Sequence, residues 1–587
     1  MKLTAAVLAS TLLLPAASFP GQEPVDLDAV TRIREEGLRH SKVMEIASGL
    51  MDGVGPRLTG SPKMKEANDW TRRKLEEMGL SNAHLESWGP FGRGWSYEKA
   101  SVRMLRPDSA QLLAIPEAWT PSTAGAVSGS AFHLKAASVE DLDQFKGKLA
   151  GKVVFFGDLR EVKLHEKAES SRYDSKELED LERYEIAAAP RFNREEFRKR
   201  RQLRRAVDKF LAQEKALAIV VPARSDAGVL GVQSAGAWRK SEPVSTLPDV
   251  VMAVEHYGRI VRLLDRKEEV AVELDIRTRI TDEDQLQYDT IAEIPGTDKR
   301  GEVVMIGAHL DSWHAGTGAT DNGAGVAATM EAMRILKAVG VHPKRTIRIG
   351  LWSGEEQGLL GSQAYVTSHF ATRPTAQPGS PQDDFGAYNR PMTGPIGVKP
   401  EYAKLSAYFN LDNGTGKIRG IYAQENAAAV PIFESWIAPL KDLGVTAVTM
   451  RNTGSTDHVA FDIVGLPGFQ FIQDEIEYET LTHHTNQDTY ERLQREDLMQ
   501  ASVVIACFAY QAAMRDGLMP RKPLPTPAPK AEEATPEKGP LAKPAGDAAP
   551  PATPRPAGPP ASGRPADNAA PTPTPRPSGT SAALAKG

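Results

Sequence analysis

Val303-Val304-Met305-Ile306-Gly307-Ala308-His309-Leu310-Asp311 is the stretch on which the fold turns. Residues 303–308 run without a polar interruption, whereas a strand with one wet face would alternate. The pattern therefore predicts a parallel strand covered by helices on both sides. The run stops at His309, with Asp311 two residues further on. Three other runs share this form. Thr346-Ile347-Arg348-Ile349-Gly350-Leu351-Trp352 ends at Ser353-Gly354-Glu355-Glu356, residues 405–409 lead into Asn410-Leu411-Asp412-Asn413, and residues 468–472 precede a loop carrying His483-His484-Thr485. Open α/β sheets bind ligands outside the carboxyl ends of their strands, so these four termini are expected to meet at one crevice.

Between the first two strands, Ala319-Thr320-Asp321-Asn322-Gly323-Ala324-Gly325 precedes a helical pattern of Val326, Met330, Met333 and Leu336, with Gly340 as its stop. Asp321 falls at the start of that helix, where a carboxylate can also serve as a cap. Singly, each residue has a structural reading: His309 as a strand-end histidine, Asp321 as a cap, Glu355 and Glu356 as an exposed acidic pair. Jointly, His309, Asp321, Glu356, Asp412 and His484 are five groups of the types zinc accepts, at the ends of one sheet. The single cysteine, Cys507, excludes internal disulfides and thiolate clusters, so metal chemistry must use imidazoles and carboxylates.

Outward from that core the composition is ordinary. Over 587 residues, 41% are hydrophobic and 25% charged, the balance of a globular chain with a sizeable core. A net charge of -5, from 71 basic and 76 acidic residues, gives no general attraction for nucleic acid or anionic membranes. The basic run Arg198-Lys199-Arg200-Arg201 reads as the wet face of an amphipathic helix whose dry face is Leu203, Val207, Phe210 and Leu211. Neither a nucleic-acid partner nor a membrane anchor is expected.

The organisation reads as five segments. Residues 1–18 have a basic start, an apolar run and small residues, the layout of a signal peptide, which predicts a secreted or periplasmic protein. Residues 19–120 form the N-terminal part of the catalytic unit, 121–275 a strand-rich inserted domain, and 276–518 the catalytic domain. Residues 519–587, dominated by Pro and Ala and lacking aromatics, cannot build a core and are expected to form a disordered tail.

The series His309-Leu310-Asp311, Thr320-Asp321-Asn322-Gly323, Gly354-Glu355-Glu356, Asn410-Leu411-Asp412 and His484-Thr485 resembles the co-catalytic zinc exopeptidases, which include bacterial leucyl aminopeptidases and glutamate carboxypeptidase. Within them the carboxypeptidase Q branch is nearest, through Ser312-Trp313, Pro343-Lys344-Arg345-Thr346, His483-His484 and Val54-Gly55-Pro56-Arg57-Leu58-Thr59-Gly60-Ser61. The resemblance implies a mixed, mostly parallel α/β sheet flanked by helices, with a protease-associated domain as the insertion. It implies two zinc ions, one on His309, Asp321 and Asp412, the other on Asp321, Glu356 and His484. It further implies Glu355 as general base, Asp311 as the acid that fixes the His309 tautomer, and a cis bond between Asp321 and Asn322. His483 takes the place where some relatives polarise the scissile carbonyl.

His314 and Asn322 depart from the carboxypeptidase Q pattern, which has acidic residues at both places. The expected function is hydrolysis of short peptides by a secreted di-zinc exopeptidase, as an aminopeptidase or as a carboxypeptidase or dipeptidase. Two other readings stay open: a single-zinc acyltransferase like glutaminyl cyclase, and a receptor-like binding protein.

Overall fold

The computed structural model describes residues 23–527, except 185–193, 235, 237, 283–285, 377–387 and 389. The segment read as a signal peptide lies outside the described residues, as does the tail beyond residue 527.

An eight-stranded mixed sheet forms the unit read as catalytic from the sequence. Lys299–His309 is central and runs parallel to Arg345–Trp352 on one side and to Leu405–Asn410 on the other. Gly468–Gln473 extends the parallel order beyond Leu405–Asn410. Antiparallel strands lie further out, Gln287–Ile294 and then Ser81–Trp88 on one flank and Ile418–Tyr422 on the other.

The uninterrupted apolar run has a direct cause. Val304, Ile306 and Ala308 enter the hydrophobic core on one face of the sheet, while Met305 enters the core on the other. Successive side chains of a strand point to opposite faces, so a strand covered twice has no position left for a polar residue. Helices Ala324–Ala338, Arg495–Met514 and Val43–Met51 cover the first face, and Leu360–His369 with His458–Asp462 covers the second. Arg495–Met514 is long and apolar enough to cross a membrane, yet it is almost wholly buried in this core.

A second eight-stranded sheet is built by Gly94–Arg106, Ala110–Leu112, Ala114–Pro116, Val127–Leu134, Lys152–Phe156, Ala218–Pro222, Asp249–Met252 and Ala271–Thr281. It takes in more chain than the 121–275 read as the insertion. Gly94–Arg106 pairs along its length with Ala271–Thr281, from Gly94 opposite Thr281 to Arg106 opposite Ala271, which ties it to the second sheet. The basic helix, Arg194–Gln213, buries Val207 and Leu211, and Lys199 and Arg200 pair with Glu195 and Glu196 at 2.8 and 2.5 Å, a solvated face as expected.

The packed chain also runs past 518. Met519 is buried, Arg521 donates to the carbonyls of Tyr402 and Leu405 at 2.7 Å each, and Lys522 donates to the carbonyl of Gln424 at 2.7 Å. Composition alone assigned these residues to the tail; their long side chains reach back to the catalytic unit.

Candidate metal centre

The crevice at the carboxyl ends of the parallel strands collects the expected side chains. His309 closes its strand with its ring buried, and its Nε2 lies 3.2 Å from Asp321 Oδ1 and 3.3 Å from Asp412 Oδ1. On the opposite side of Asp321, Oδ2 lies 3.1 Å from His484 Nε2, which is also 3.0 Å from Glu356 Oε2. Asp321 thus faces one imidazole through each oxygen. The ligand-type atoms of His309, Asp321 and Asp412 approach one another within 4.8 Å, as do those of Asp321, His483 and His484.

Local structure explains these placements. Asp321 is not the cap of the helix it precedes; Asn322 Oδ1 accepts the Gly325 N–H at 3.0 Å instead, which frees Asp321 to face the crevice. Asn322 Nδ2 also donates to the Leu411 carbonyl at 2.9 Å, tying this turn to the Asp412 loop. The Asp321–Asn322 peptide is cis, as the resemblance implied.

Asp311 departs from the expected geometry. The His309 Nδ1 lies 3.0 Å from the Asp311 main-chain carbonyl and 3.6 Å from its Oδ1. The carboxylate itself accepts from Thr59 Oγ1 at 2.8 Å and from the Glu355 and Glu356 N–H groups at 3.2 and 3.4 Å. The main chain of Asp311 therefore orients the imidazole, while its side chain orients the glutamate turn. Carboxylates prefer such a ring of donors because each offsets lost hydration.

His483 sits at the rim, 38% exposed, stacked on Tyr478 at 4.7 Å with its Nε2 3.8 Å from Asp321 Oδ2. His314 stands apart. It is buried beside Trp95 and Tyr97, its Nε2 lies 2.8 Å from the Pro116 carbonyl, and burial pulls its pKa down to about 4.

Two positioning groups escaped the sequence reading. Asp488 is buried and accepts from the Thr320 N–H at 2.5 Å, from Thr320 Oγ1 at 2.8 Å and from the Asp321 N–H at 3.2 Å. Its place four residues after His484, in His484-Thr485-Asn486-Gln487-Asp488, was the available signal. Arg57 is fully buried and donates to the carbonyls of Leu310, Gly55, Thr317 and Gly318 at 2.7 to 3.0 Å. It thereby joins the strand end after His309 to the loop before Asp321.

The electrostatics favour bound cations. Burial raises the Asp321 carboxylate, but His309 and His484 hold it well below the usual range. Burial pulls His484 down, yet Glu356 and Asp321 lift it to about 10. Burial and the nearby Asp412, Asp457 and Glu356 charges push Glu355 well above its ordinary value against the pull of His309. Carboxylates outnumber imidazoles here, and Glu356 Oε1 is buried with no hydrogen-bond partner among the described residues. Imidazole and carboxylate donors converging on buried, under-satisfied oxygens fit zinc.

The mixed α/β sheet thus carries at its strand ends a donor set suited to a metal centre. Residues 289–509 match the family described as Peptidase family M28. Carboxypeptidase Q of Mus musculus is 25% identical over 496 residues, 84% of this chain and 90% of its own length. Aminopeptidase YwaD of Bacillus subtilis is 28% identical over 228 residues, 38% of this chain and 44% of its own. The crystal structure of a peptidase M28 precursor from Shewanella amazonensis SB2B superposes with a TM-score of 0.58 at 25% identity, covering 85% of this chain and 98% of that one. Residues 289–509 are thus similar to the M28 peptidases, the family whose resemblance the motifs carry.

Proposed function

We propose that the protein is an exported di-zinc exopeptidase that hydrolyses short peptides, with the second sheet as a protease-associated domain. The observation that carries this reading is the Asp321 carboxylate, turned to His309 through Oδ1 and to His484 through Oδ2. One zinc would be held by His309, Asp321 and Asp412, and the other by Asp321, Glu356 and His484. His483 is the weaker candidate for the second set, since it is half-exposed and farther from Asp321, whereas the Glu356 side chain is 3% exposed and touches His484. When bound, zinc would supply a Lewis acid for the scissile carbonyl and lower the pKa of water towards about 7.

The remaining chemistry belongs to the protein. Glu355, held at its N–H by Asp311, takes a proton from the attacking water as the new C–O bond forms. It returns that proton to the amine nitrogen as the C–N bond breaks. His483, at the rim, is placed to hydrogen-bond the carbonyl oxygen as charge develops on it.

The test uses one dipeptide with its amino or carboxyl end blocked in turn, alongside zinc analysis of the purified enzyme. Loss on blocking only the amino end defines an aminopeptidase, loss on blocking only the carboxyl end a carboxypeptidase, and loss on either a dipeptidase. A single tightly held zinc with no hydrolysis of any of the three would overturn the reading in favour of a cyclase-like acyltransferase.

A further inference from the structure

The loop from residue 474 to 488 carries His484 and is held on one side by Thr320, through Thr482 and Asp488, and on the other by the second sheet. At one end, Ser171 and Ile476 exchange two main-chain hydrogen bonds of 2.9 Å, and Thr480 Oγ1 donates to the Glu169 carbonyl at 2.8 Å. At the other, the Val232 N–H donates to the carbonyl of His484 itself at 3.0 Å, and Gly231 forms a β-bridge with Thr485. Asn486 completes the clasp with three bonds. Its N–H donates to the Leu230 carbonyl at 3.0 Å, its Oδ1 accepts the Leu230 N–H at 2.7 Å, and its Nδ2 donates to the Gly228 carbonyl at 3.3 Å. Residues 169–171 and 228–232 all belong to the connections of the second sheet.

His484 adopts φ +62°, a left-handed conformation that a non-glycine residue keeps only when its surroundings enforce it. Among the described residues, the Val232–His484 bond and the Asn486 clasp are the contacts that flank this torsion from the second sheet. Among the described residues, the turns carrying Asp321 and Asp412 are joined to one another by Asn322, and the loop after His309 meets the second sheet at His314, five residues beyond the ligand-type imidazole, through the Pro116 carbonyl.

We infer that Asn486 is a positioning residue through which the second sheet sets the aim of His484, so that the metal position completed by His484 depends on this clasp more than the position completed by His309 and Asp412 does. This rests on the two-zinc reading above. Outer partners of metal ligands are worth about 10- to 100-fold in metal affinity, and the effect here falls on the position shared by Glu356, Asp321 and His484.

The experiment is competition of the zinc-loaded enzyme with a chromophoric chelator, resolving the two zinc ions by affinity, for wild type, Asn486→Ala and Asn486→Asp. Hydrogen exchange of residues 474–488 is followed in parallel. Expected for Asn486→Ala is one zinc released about 10- to 100-fold more readily with the other unchanged, together with faster exchange of the loop and an unaltered exchange pattern in the Lys299–His309 strand. Asn486→Asp keeps the acceptor for Leu230 and should recover part of the affinity. Two zinc ions held by Asn486→Ala as tightly as by wild type, or both weakened equally in a folded protein, would overturn the inference. A wild type that holds only one zinc would instead overturn the reading on which it rests.

Discussion

The carboxylate of Asp488 accepts the main-chain N–H of Asp321 at 3.2 Å, so the residue that faces both imidazoles is itself held through its backbone. A second bond to the Thr320 N–H fixes the preceding peptide as well. Asp488→Asn replaces one acceptor oxygen by a donor, which then opposes either the Thr320 or the Asp321 N–H. The expected outcome is a fall in zinc affinity of about 10- to 100-fold with the fold retained. Equilibrium dialysis against a zinc buffer, with circular dichroism as the control for folding, checks it.

On the proposed mechanism Glu355 is the base and Glu356 a ligand. Glu355→Gln should keep its zinc and its substrate binding while turnover falls by about two to four orders of magnitude, the span of a general acid-base group. Glu356→Gln should lose metal first. Zinc content by atomic emission, set beside single-turnover rates, distinguishes them; zinc loss from Glu355→Gln would mean that the two roles are exchanged.

His314 is expected to matter for stability and not for metal. His314→Phe leaves the Pro116 carbonyl without its donor, at a cost of about 1–3 kcal/mol, with zinc content unchanged. Its folded pKa of about 4 lies below the ordinary 6.5, so the neutral ring stabilises the fold above 6.5 and that contribution fades as pH falls towards 4. Thermal melts of wild type and variant between pH 4 and 7 should therefore converge on acidification.

Glu117 gives the opposite pH signature in the second sheet. Burial and the adjacent Asp249 charge raise it to about 8 from 4.5, so the folded state holds this proton more tightly than the unfolded chain does. The stabilisation is complete below 4.5 and is lost as pH rises through 8. Glu117→Gln, which still accepts the Gln233 N–H, should gain about 3–4 kcal/mol on wild type between pH 5 and pH 8. A melting-temperature difference independent of pH would contradict this.

Truncation should locate the end of the packed chain. A protein ending at residue 527 should melt as the full chain does, whereas one ending at 518 loses buried Met519 and the Arg521 and Lys522 bonds. That loss should amount to about 2–4 kcal/mol, read by differential scanning calorimetry.

The metal-site candidates were legible in the sequence because each sits where a local pattern breaks. An apolar run covered on both faces must stop where the sheet stops, and His309, Glu355, Glu356 and Asp412 mark those stops. Asp321 announced itself by preceding a helical period. What surrounds them was not legible. Arg57 reaches Leu310 and Thr317 across more than 250 positions of chain, and Asp488 reaches Thr320 across 168. Nothing in the neighbouring residues of either reports such a partner.

The sequence by itself determined the alternation of two hydrophobic faces along each central strand and the placing of imidazoles and carboxylates just beyond their ends, since both follow from a few consecutive residues. Only the tertiary structure decided that Gly94–Arg106 belongs to the second sheet, that His314 turns into an aromatic pocket, and that Asn486 clasps residues 228–230. The reason is physical. A strand's propensity is met equally well by any partner of suitable register, and a polar side chain by any donor or acceptor, so the choice falls to whichever packing of distant segments leaves the fewest buried groups unsatisfied.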